Sequence, residues 1–205
     1  FLYQTDKDGY NQVYLYDTAG KLIKHLGYQD VIVENFKGFN ANASKLYYVG
    51  ASNNGLERHL YEVEIKSGKT KQLTTSKGVH NASVSPTGNY VIDQYSNLNT
   101  PYTLQVITTK NGQSKSIYEA ENPFTGEINL PKIEFKEFLS PDGKTPLNAR
   151  ITYPTNFDST KKYPVMVYLY GGSHAQMITD RWLGGVGYFD LYMAQQGYLV
   201  FTLDN

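Results

Sequence analysis

Cysteine is absent from the 205-residue chain, and methionine and tryptophan are scarce, with three residues and one residue. Without cysteine the chain can form neither disulfide bonds nor thiolate metal sites. Its four histidines, His25, His59, His80 and His174, lie too far apart in sequence for the usual ligand spacing of a metal site. We therefore predict that the chain holds no metal, and nothing in the sequence indicates another cofactor.

Net charge is absent as well, because 19 lysine and arginine residues balance 19 aspartate and glutamate residues. A neutral chain has no long-range field that would attract nucleic acid or an anionic membrane. No segment approaches the roughly 18 apolar residues of a membrane-spanning helix, and no basic stretch followed by an apolar one opens the chain as a signal peptide would. We expect neither a nucleic-acid partner nor a membrane span in this chain.

Aromatic residues are abundant, with 19 tyrosines and nine phenylalanines, and such a composition is typical of β-sheets. From residue 1 to about residue 120, short apolar or aromatic strands alternate with turn clusters, and no helical periodicity lasts for two turns. Pairs of strands recur around Gly20, Gly68 and Gly112, which are 48 and 44 residues apart. A repeat of this length with four strands per unit predicts the blades of a β-propeller.

We count three predicted blades, a partial one over residues 1–28 and two fuller ones over residues 31–75 and 79–120. A β-sandwich is the alternative fold, since regularly spaced short strands suit it as well, but the length of the repeat favours blades. The chain begins in a predicted strand and ends directly after another, over residues 198–203. We therefore expect it to be a piece of a longer protein.

The pattern changes after residue 120. Residues 121–131 carry proline and glycine without periodicity and predict a connector. Two predicted strands, residues 132–139 and 147–153, flank an Asp142-Gly143 turn and indicate a hairpin. The remaining segments predict a βαβ unit, with a strand over residues 165–170, a helix that carries Phe189, Tyr192 and Met193 and ends at Gly197, and a strand over residues 198–203.

The predicted strand over residues 165–170 carries no charge, so we expect it to be buried on both faces, as in the core of a parallel sheet. Gly171 and Gly172 follow it and allow a sharp turn. That turn lies at the carboxyl end of the strand, where open α/β sheets place their binding sites. We hypothesise a functional site beside Tyr170.

Several motifs in the second half carry a family resemblance. They are Lys-Lys-Tyr-Pro at residues 161–164, Tyr-Gly-Gly-x-His-Ala-Gln at residues 170–176, Trp182, residues 188–196 and the closing residues 197–205. Together they resemble the prolyl oligopeptidase family, and in particular its dipeptidyl peptidase IV branch. Ser173 departs from the pattern, since the family usually has proline after the glycine pair. In the first half, His80, Ser85-Pro86 and residues 90–97 resemble the last blades of dipeptidyl peptidases, although strand and turn roles explain these residues equally.

The resemblance implies a mainly β fold with an α/β part. Residues 1–125 would form the C-terminal blades of a β-propeller, residues 126–135 a connector, and residues 136–205 the truncated start of an α/β-hydrolase peptidase domain. In such a domain an antiparallel strand pair opens the sheet, as the predicted hairpin would. The assignment of residues 136–205 to an α/β-hydrolase domain rests on the resemblance.

The resemblance also implies a role for Tyr170, whose phenolic O–H would donate to the oxyanion hole of the hydrolase site. The alternative interpretation is that Tyr170 is a core aromatic. We expect His174, Gln176 and Trp182 to shape the loop and not to take part in catalysis.

Ser173 lies in a segment, residues 171–175, that nearly matches the nucleophile elbow G-x-S-x-G. We reject it as a nucleophile, because the adjacent His174 cannot be its general base and too few residues follow to supply an acid and a base in the order Ser, Asp, His. The resemblance implies that the catalytic serine, aspartate and histidine lie beyond residue 205. It also implies that the paired glutamates that hold a substrate's N-terminal amine precede residue 1. We expect this chain alone to be inactive.

For the parent protein, the resemblance implies a serine exopeptidase that releases N-terminal dipeptides from peptides, often after proline or alanine, through an acyl-enzyme. The alternatives are a tripeptidyl or acylaminoacyl peptidase of the same family, or a non-catalytic propeller that binds peptides. The parent is expected to be a periplasmic or secreted homodimer, and the chain alone is expected to self-associate through unpaired strand edges. The sequons at Asn42 and Asn81 permit glycosylation only in a cell that secretes and glycosylates the protein.

Overall fold

The computed structural model describes residues 1–28, 30–124, 129–172 and 175–204. The chain forms two compact units, the first made of Phe1–Tyr95 and Thr103–Glu119 and the second of Ser96–Tyr102 and Ala120–Asn205. Strands dominate both units, which confirms the predicted mainly β class. The α-helix and the short 3₁₀-helix found among the described residues both belong to the second unit.

Eleven strands in chain order build the sheets of the first half of the chain. The first sheet contains β1 (Leu2–Thr5), β2 (Gln12–Tyr16) and β3 (Leu22–His25). The next set contains β4 (Ile32–Phe39), β5 (Lys45–Ser52), β6 (Glu57–Glu64) and β7 (Thr70–Gln72). The last set contains β8 (Val79–Val84), β9 (Tyr90–Asn97), β10 (Thr100–Thr108) and β11 (Ser114–Glu119). These three sets lie within the residues predicted for the three blades.

The repeated glycines have one conformational role. Gly20, Gly68 and Gly112 have φ angles of 82°, 78° and 72°, in the left-handed region that side chains with a Cβ disfavour. Each closes a tight turn through its backbone N–H, which donates to the carbonyl of Asp17, Glu64 or Thr108 at 3.1, 2.7 and 2.8 Å. The feature that repeats along the sequence is therefore a glycine in the left-handed conformation that closes a turn.

Strand β5 contributes to two separate hydrophobic clusters. Its alternate residues Leu46 and Tyr48 pack with Val13 and Val63, while Tyr47 and Val49 pack with residues of β8 to β10. This follows from the period of two along a strand, which sends successive side chains to opposite faces. A sheet with both faces covered is expected when blades stack face to face. Each fully buried leucine of this kind stabilises the unit by about 1.5–3 kcal/mol.

A buried polar network lies between β6, β8, β9 and β10. The Asp93 carboxylate is fully buried, and its Oδ2 accepts from His80 Nδ1 at 2.7 Å and from Gln105 Nε2 at 2.8 Å. His80 Nε2 lies 2.8 Å from the carbonyl oxygen of Ser76, and the ring of Tyr95 stacks on the imidazole at 4.9 Å. Both imidazole nitrogens of His80 thus lie within hydrogen-bond distance of an oxygen atom.

The second unit contains a four-stranded mixed sheet. Its strands are β12 (Ile133–Leu139), β13 (Pro146–Thr152), β14 (Val165–Leu169) and β15 (Leu199–Leu203), in the order β12-β13-β15-β14. β12, β13 and β15 are antiparallel neighbours, whereas β14 and β15 are parallel. The predicted hairpin is confirmed, because Gly143 (φ 70°) donates its N–H to the Ser140 carbonyl at 2.8 Å between β12 and β13.

The prediction that β14 is buried on both faces is wrong for this chain. Val165, Val167 and Leu169 are each 56% exposed, because β14 is the edge strand of the sheet among the described residues. Val167 lies opposite Phe201 in the parallel register, so these apolar side chains share one open face. An uncharged strand indicates a core position in a complete sheet, whereas the described residues leave these three side chains open to solvent.

The helix α1 (Tyr188–Gln195) connects β14 to β15, as predicted. Gly197 follows its C-terminus with φ 88° and donates its N–H to the Ala194 carbonyl at 3.1 Å, which confirms the predicted glycine stop. The buried face of α1 is not the one that carries Phe189 and Tyr192. Asp190, Leu191 and Ala194 are buried, whereas Phe189 and Tyr192 are 62% and 56% exposed.

Candidate functional site

Tyr170 is the first residue after β14, and its side chain is 58% exposed. It is exposed to about the same degree as Val165, Val167 and Leu169 of β14. Its ring lies over Gly172, where a Cβ would come within 2.5 Å of the Tyr170 Cε1. The second glycine of the pair thus provides the close approach that lets the phenol fold back over its own loop.

The loop after the glycine pair returns to the sheet. Ala175 donates its backbone N–H to the Gly172 carbonyl at 3.3 Å, and Gln176 Nε2 donates to the Ile178 carbonyl at 3.0 Å. The Ile178 side chain is fully buried. Gln176 therefore shapes the loop, as expected. Ser173 and His174 lie outside the described residues.

Asp204 holds the far end of this loop and was not identified from the sequence. Its carboxylate accepts the backbone N–H of Met177 at 2.8 Å through Oδ1 and that of Ile178 at 3.1 Å through Oδ2. The signal that could have revealed it is an aspartate directly after the second parallel strand. The carboxyl ends of adjacent parallel strands meet at one edge of a sheet.

Trp182 begins the 3₁₀-helix Trp182–Gly185, which precedes α1. Its backbone N–H donates to Ser96 Oγ at 3.3 Å, within the second unit. The next three residues, Leu183, Gly184 and Gly185, have φ angles of 53°, 62° and 71°. Leucine rarely adopts this conformation, so the segment is held by its contacts. Trp182 has a structural position here, as the sequence led us to expect.

Arg150 is the buried cation that fastens this segment to the sheet. It is 3% exposed, and it donates to the Gly184 carbonyl at 2.8 Å and to Asp190 Oδ2 at 3.1 Å. Burial lowers the pKa of the guanidinium, and the charge of Asp190 opposes that shift. The sequence signal for this role was that Arg150 is the one charged residue of β13.

A surface depression of about 610 Å³ lies on the sheet face that α1 covers. Its wall includes Arg150, Met166, Met177, Arg181 and Phe189. The lining of the depression is therefore mostly apolar, with two arginine side chains as its cationic groups. The described residues contain no cluster of three or more His, Cys, Asp or Glu side chains that could hold a metal ion. Among the same residues, no helix is both long and apolar enough to cross a membrane.

Comparison with known proteins gives concordant matches. Residues 1–102 match the model of the dipeptidyl peptidase IV (DPP IV) N-terminal region. A structure from Bacteroides ovatus, assigned as a dipeptidyl aminopeptidase IV, superposes with a TM-score of 0.91 at 33% identity, over 100% of this chain and 32% of that one. The matches support a dipeptidyl peptidase IV-type fragment. The predicted family resemblance is thereby confirmed, and the sheets of the first unit match propeller-type blades of this family.

Two proteins named dipeptidyl peptidase 4 are also similar over most of the chain. The structure of Porphyromonas gingivalis dipeptidyl peptidase 4 has a TM-score of 0.84 and 26% identity, over 100% of this chain and 29% of that one. The "probable dipeptidyl peptidase 4" of Aspergillus fumigatus is 29% identical over 98% of this chain and 27% of its own length. The chain thus spans between a quarter and a third of the length of these relatives.

Proposed function

We propose that the chain is part of a serine exopeptidase that releases N-terminal dipeptides, often after proline or alanine, through an acyl-enzyme. The names of the curated relatives, which are dipeptidyl peptidases and dipeptidyl-aminopeptidases, support this over a tripeptidyl or acylaminoacyl peptidase. The single structural observation that carries the proposal is the exposed phenol of Tyr170 at the carboxyl end of β14. Its substrates would be peptides.

We infer that the second unit is the start of an α/β-hydrolase domain. Two parallel strands joined through α1 are the unit from which such sheets are built. Parallel sheets are covered on both faces, whereas Val167 and Leu169 of β14 are open to solvent here. Further strands and helices of the longer protein would pair with β14 and cover this face. The assignment of residues 1–125, 126–135 and 136–205 to blades, connector and hydrolase domain is part of this proposal.

In the proposed mechanism, Tyr170 donates its O–H to the oxygen of the scissile carbonyl as that carbon becomes tetrahedral. A preorganised donor of this kind stabilises the developing charge more than it stabilises the bound substrate. The nucleophilic serine and its aspartate and histidine partners would come from the remainder of the longer protein. Residues 1–205 alone would then bring an oxyanion donor to the site and no nucleophile.

The test is Tyr170→Phe in the longer protein, assayed with an Ala-Pro or Gly-Pro chromogenic substrate. Deleting one oxyanion donor should lower kcat by roughly a hundredfold to a thousandfold and leave KM nearly unchanged. Tyr188→Phe is the matched control, because Tyr188 is 83% exposed on α1, and it should not change kcat. A Tyr170→Phe variant that keeps kcat within about threefold of wild type contradicts the oxyanion role.

Residues 1–205 alone should not hydrolyse either substrate. Turnover by this chain that disappears on Ser173→Ala would refute the proposal that the nucleophile lies elsewhere. The homodimer and the periplasmic or secreted location of the longer protein stay predictions. Light scattering checks the first, and cell fractionation checks the second.

A further inference from the structure

The Asp204 carboxylate spans two successive backbone amides in a loop far away in sequence. Each carboxylate oxygen accepts one N–H, from Met177 at 2.8 Å and from Ile178 at 3.1 Å. Hydrogen bonds from N–H groups to an ionised carboxylate are about twice as strong as those between neutral groups. A two-point attachment also fixes the direction of the peptide plane between the two amides.

Asp204 is itself held by the sheet. Its own backbone N–H donates to the Asn148 carbonyl at 2.9 Å, next to the paired residues Ala149 of β13 and Leu203 of β15. Asn148 is 8% exposed, so this anchor lies in the interior of the second unit. The carboxylate therefore projects from a rigid position and not from a mobile terminus.

Asp204 and Tyr170 occupy equivalent positions on adjacent strands. Leu169 pairs with Leu203 in the parallel register of β14 and β15, and Tyr170 and Asp204 are the next residues on each strand. The loop that leaves the sheet at Tyr170 thus comes back to the neighbouring strand at Asp204. One end of the loop is fixed by β14, and the other is fixed by the Asp204 carboxylate and by the buried Ile178 side chain.

We propose that Asp204 is a positioning residue for Tyr170. Gly172 lies so close to the Tyr170 ring that a Cβ there would come within 2.5 Å of Cε1, so a shift of Gly172 changes the space in which the phenol sits. Holding Met177 and Ile178 limits such a shift. Without the carboxylate, the Met177 and Ile178 amides lose this acceptor, which leaves this end of the loop held by the buried Ile178 side chain and by the Gln176 hydrogen bond to the Ile178 carbonyl. This inference rests on the proposed oxyanion role of Tyr170 and deepens it.

Asp204→Asn tests the attachment first, without any activity measurement. Asparagine keeps one acceptor oxygen, so one of the two N–H groups loses its partner. Hydrogen exchange of the Met177 and Ile178 amides should accelerate about tenfold or more, the factor that corresponds to one such bond. Amides in the middle of β12 and β13 should keep their protection, which shows that the variant is folded.

Asp158→Asn is the matched control. Asp158 Oδ1 accepts a backbone N–H from Thr160 at 3.0 Å, but Asp158 precedes the N-terminal end of β14, whereas Tyr170 follows its C-terminal end. This control should leave the exchange of Met177 and Ile178 unchanged. Asp204→Glu restores the charge on a longer side chain and should recover part of the protection.

Kinetics of the longer protein test the positioning role itself. Asp204→Asn should lower kcat about tenfold with little change in KM, because a displaced donor weakens mainly the transition state. In a Tyr170→Phe background the same substitution should lower kcat by less than about twofold, since the group it positions is gone. A tenfold loss in both backgrounds would show that Asp204 acts independently of Tyr170 and would overturn the proposal.

The two proposals fail in different ways. If Tyr170→Phe lowers kcat and Asp204→Asn accelerates amide exchange without lowering kcat, only the positioning role is refuted. Unchanged amide exchange in Asp204→Asn refutes it as well. If Tyr170→Phe leaves kcat unchanged, the oxyanion role is refuted and the positioning role with it.

Discussion

Replacing Asp93 by asparagine should destabilise the first unit by about 3 kcal/mol. Oδ2 of this carboxylate accepts from both His80 and Gln105, and the whole side chain is shielded from water. The same carboxylate oxygen lies 2.7 Å from His80 Nδ1, and the second ring nitrogen lies 2.8 Å from the Ser76 carbonyl oxygen. The substitution keeps the shape of the side chain and removes only its charge and one acceptor.

The expected loss of stability follows from the hydrogen bonds that an asparagine at position 93 can still form. Its single oxygen can take the place of Oδ2 and accept from both His80 and Gln105. The amide nitrogen then falls at the position of Oδ1, which has no hydrogen-bond partner among the described residues. The variant therefore buries an unpaired donor, at a cost of about 1–3 kcal/mol. It also replaces the charged acceptor of two hydrogen bonds by a neutral one, and hydrogen bonds to charged groups contribute about 1.5–3 kcal/mol each.

Native-state hydrogen exchange is the suitable assay, because the only tryptophan, Trp182, lies in the second unit and its fluorescence does not report on the first. Amides of β8 and β9 should exchange about two orders of magnitude faster in Asp93→Asn, which corresponds to about 3 kcal/mol. Asp6→Asn is the control, since Asp6 is an exposed residue before a turn. It should change the free energy of opening by less than about 0.5 kcal/mol.

A double-mutant cycle with His80→Gln identifies the source of the effect. If the pair is the main contribution, Asp93→Asn should cost much less in the His80→Gln background, with a coupling energy of at least about 1 kcal/mol. A cost below about 1 kcal/mol for Asp93→Asn alone, or additive single effects, would refute the reasoning.

Two other predictions concern the second unit. Gly172→Ala places a Cβ within 2.5 Å of Tyr170 Cε1, so the exposed ring should swing away and kcat of the longer protein should fall by up to about a hundredfold. Thermal unfolding of that variant should stay within a few degrees of wild type, and an unchanged kcat would contradict the placement of the ring. Glu134 accepts hydrogen bonds first from Lys132 and then from Tyr153, which lower the pKa of its carboxyl to about 2. Because the folded pKa is below the unfolded value, this stabilisation is present above about pH 4.3 and is lost as the pH falls towards 2. A carboxyl titration of Glu134 followed by NMR checks this value, and a midpoint near 4.3 would contradict it; Glu134→Gln should remove this part of the acid dependence.

The sequence predicted the features that depend on local backbone geometry. Gly20, Gly68 and Gly112 mark the blade repeat because each turn needs a left-handed residue, and that requirement is visible at one position. The Asp142-Gly143 hairpin and the glycine stop of α1 were predicted for the same reason. Turn chemistry involves neighbours in sequence, so it can be recognised without knowing the tertiary structure.

Contacts between distant residues could not be predicted in this way. Asp204 binds amides 26 and 27 residues earlier, and Arg150 binds a carbonyl 34 residues later. Neither contact has a periodicity or spacing that a single sequence displays. The exposure of β14 was mispredicted for a related reason. Its apolar residues indicate how the strand is covered in a complete sheet, and not how it is covered within residues 1–205.

Buried and exposed strands in the first half of the chain should tolerate amino-acid substitutions to different degrees. All six central residues of β5 are buried, whereas all six residues of β11 are exposed. A substitution in β5 must fit one of two packed clusters, so few amino acids are acceptable at any of its positions. Among the described residues, neither packed cluster includes a residue of β11. Sequence drift among relatives should therefore accumulate in β11 and leave β5 nearly unchanged, even though both are strands of neighbouring blades.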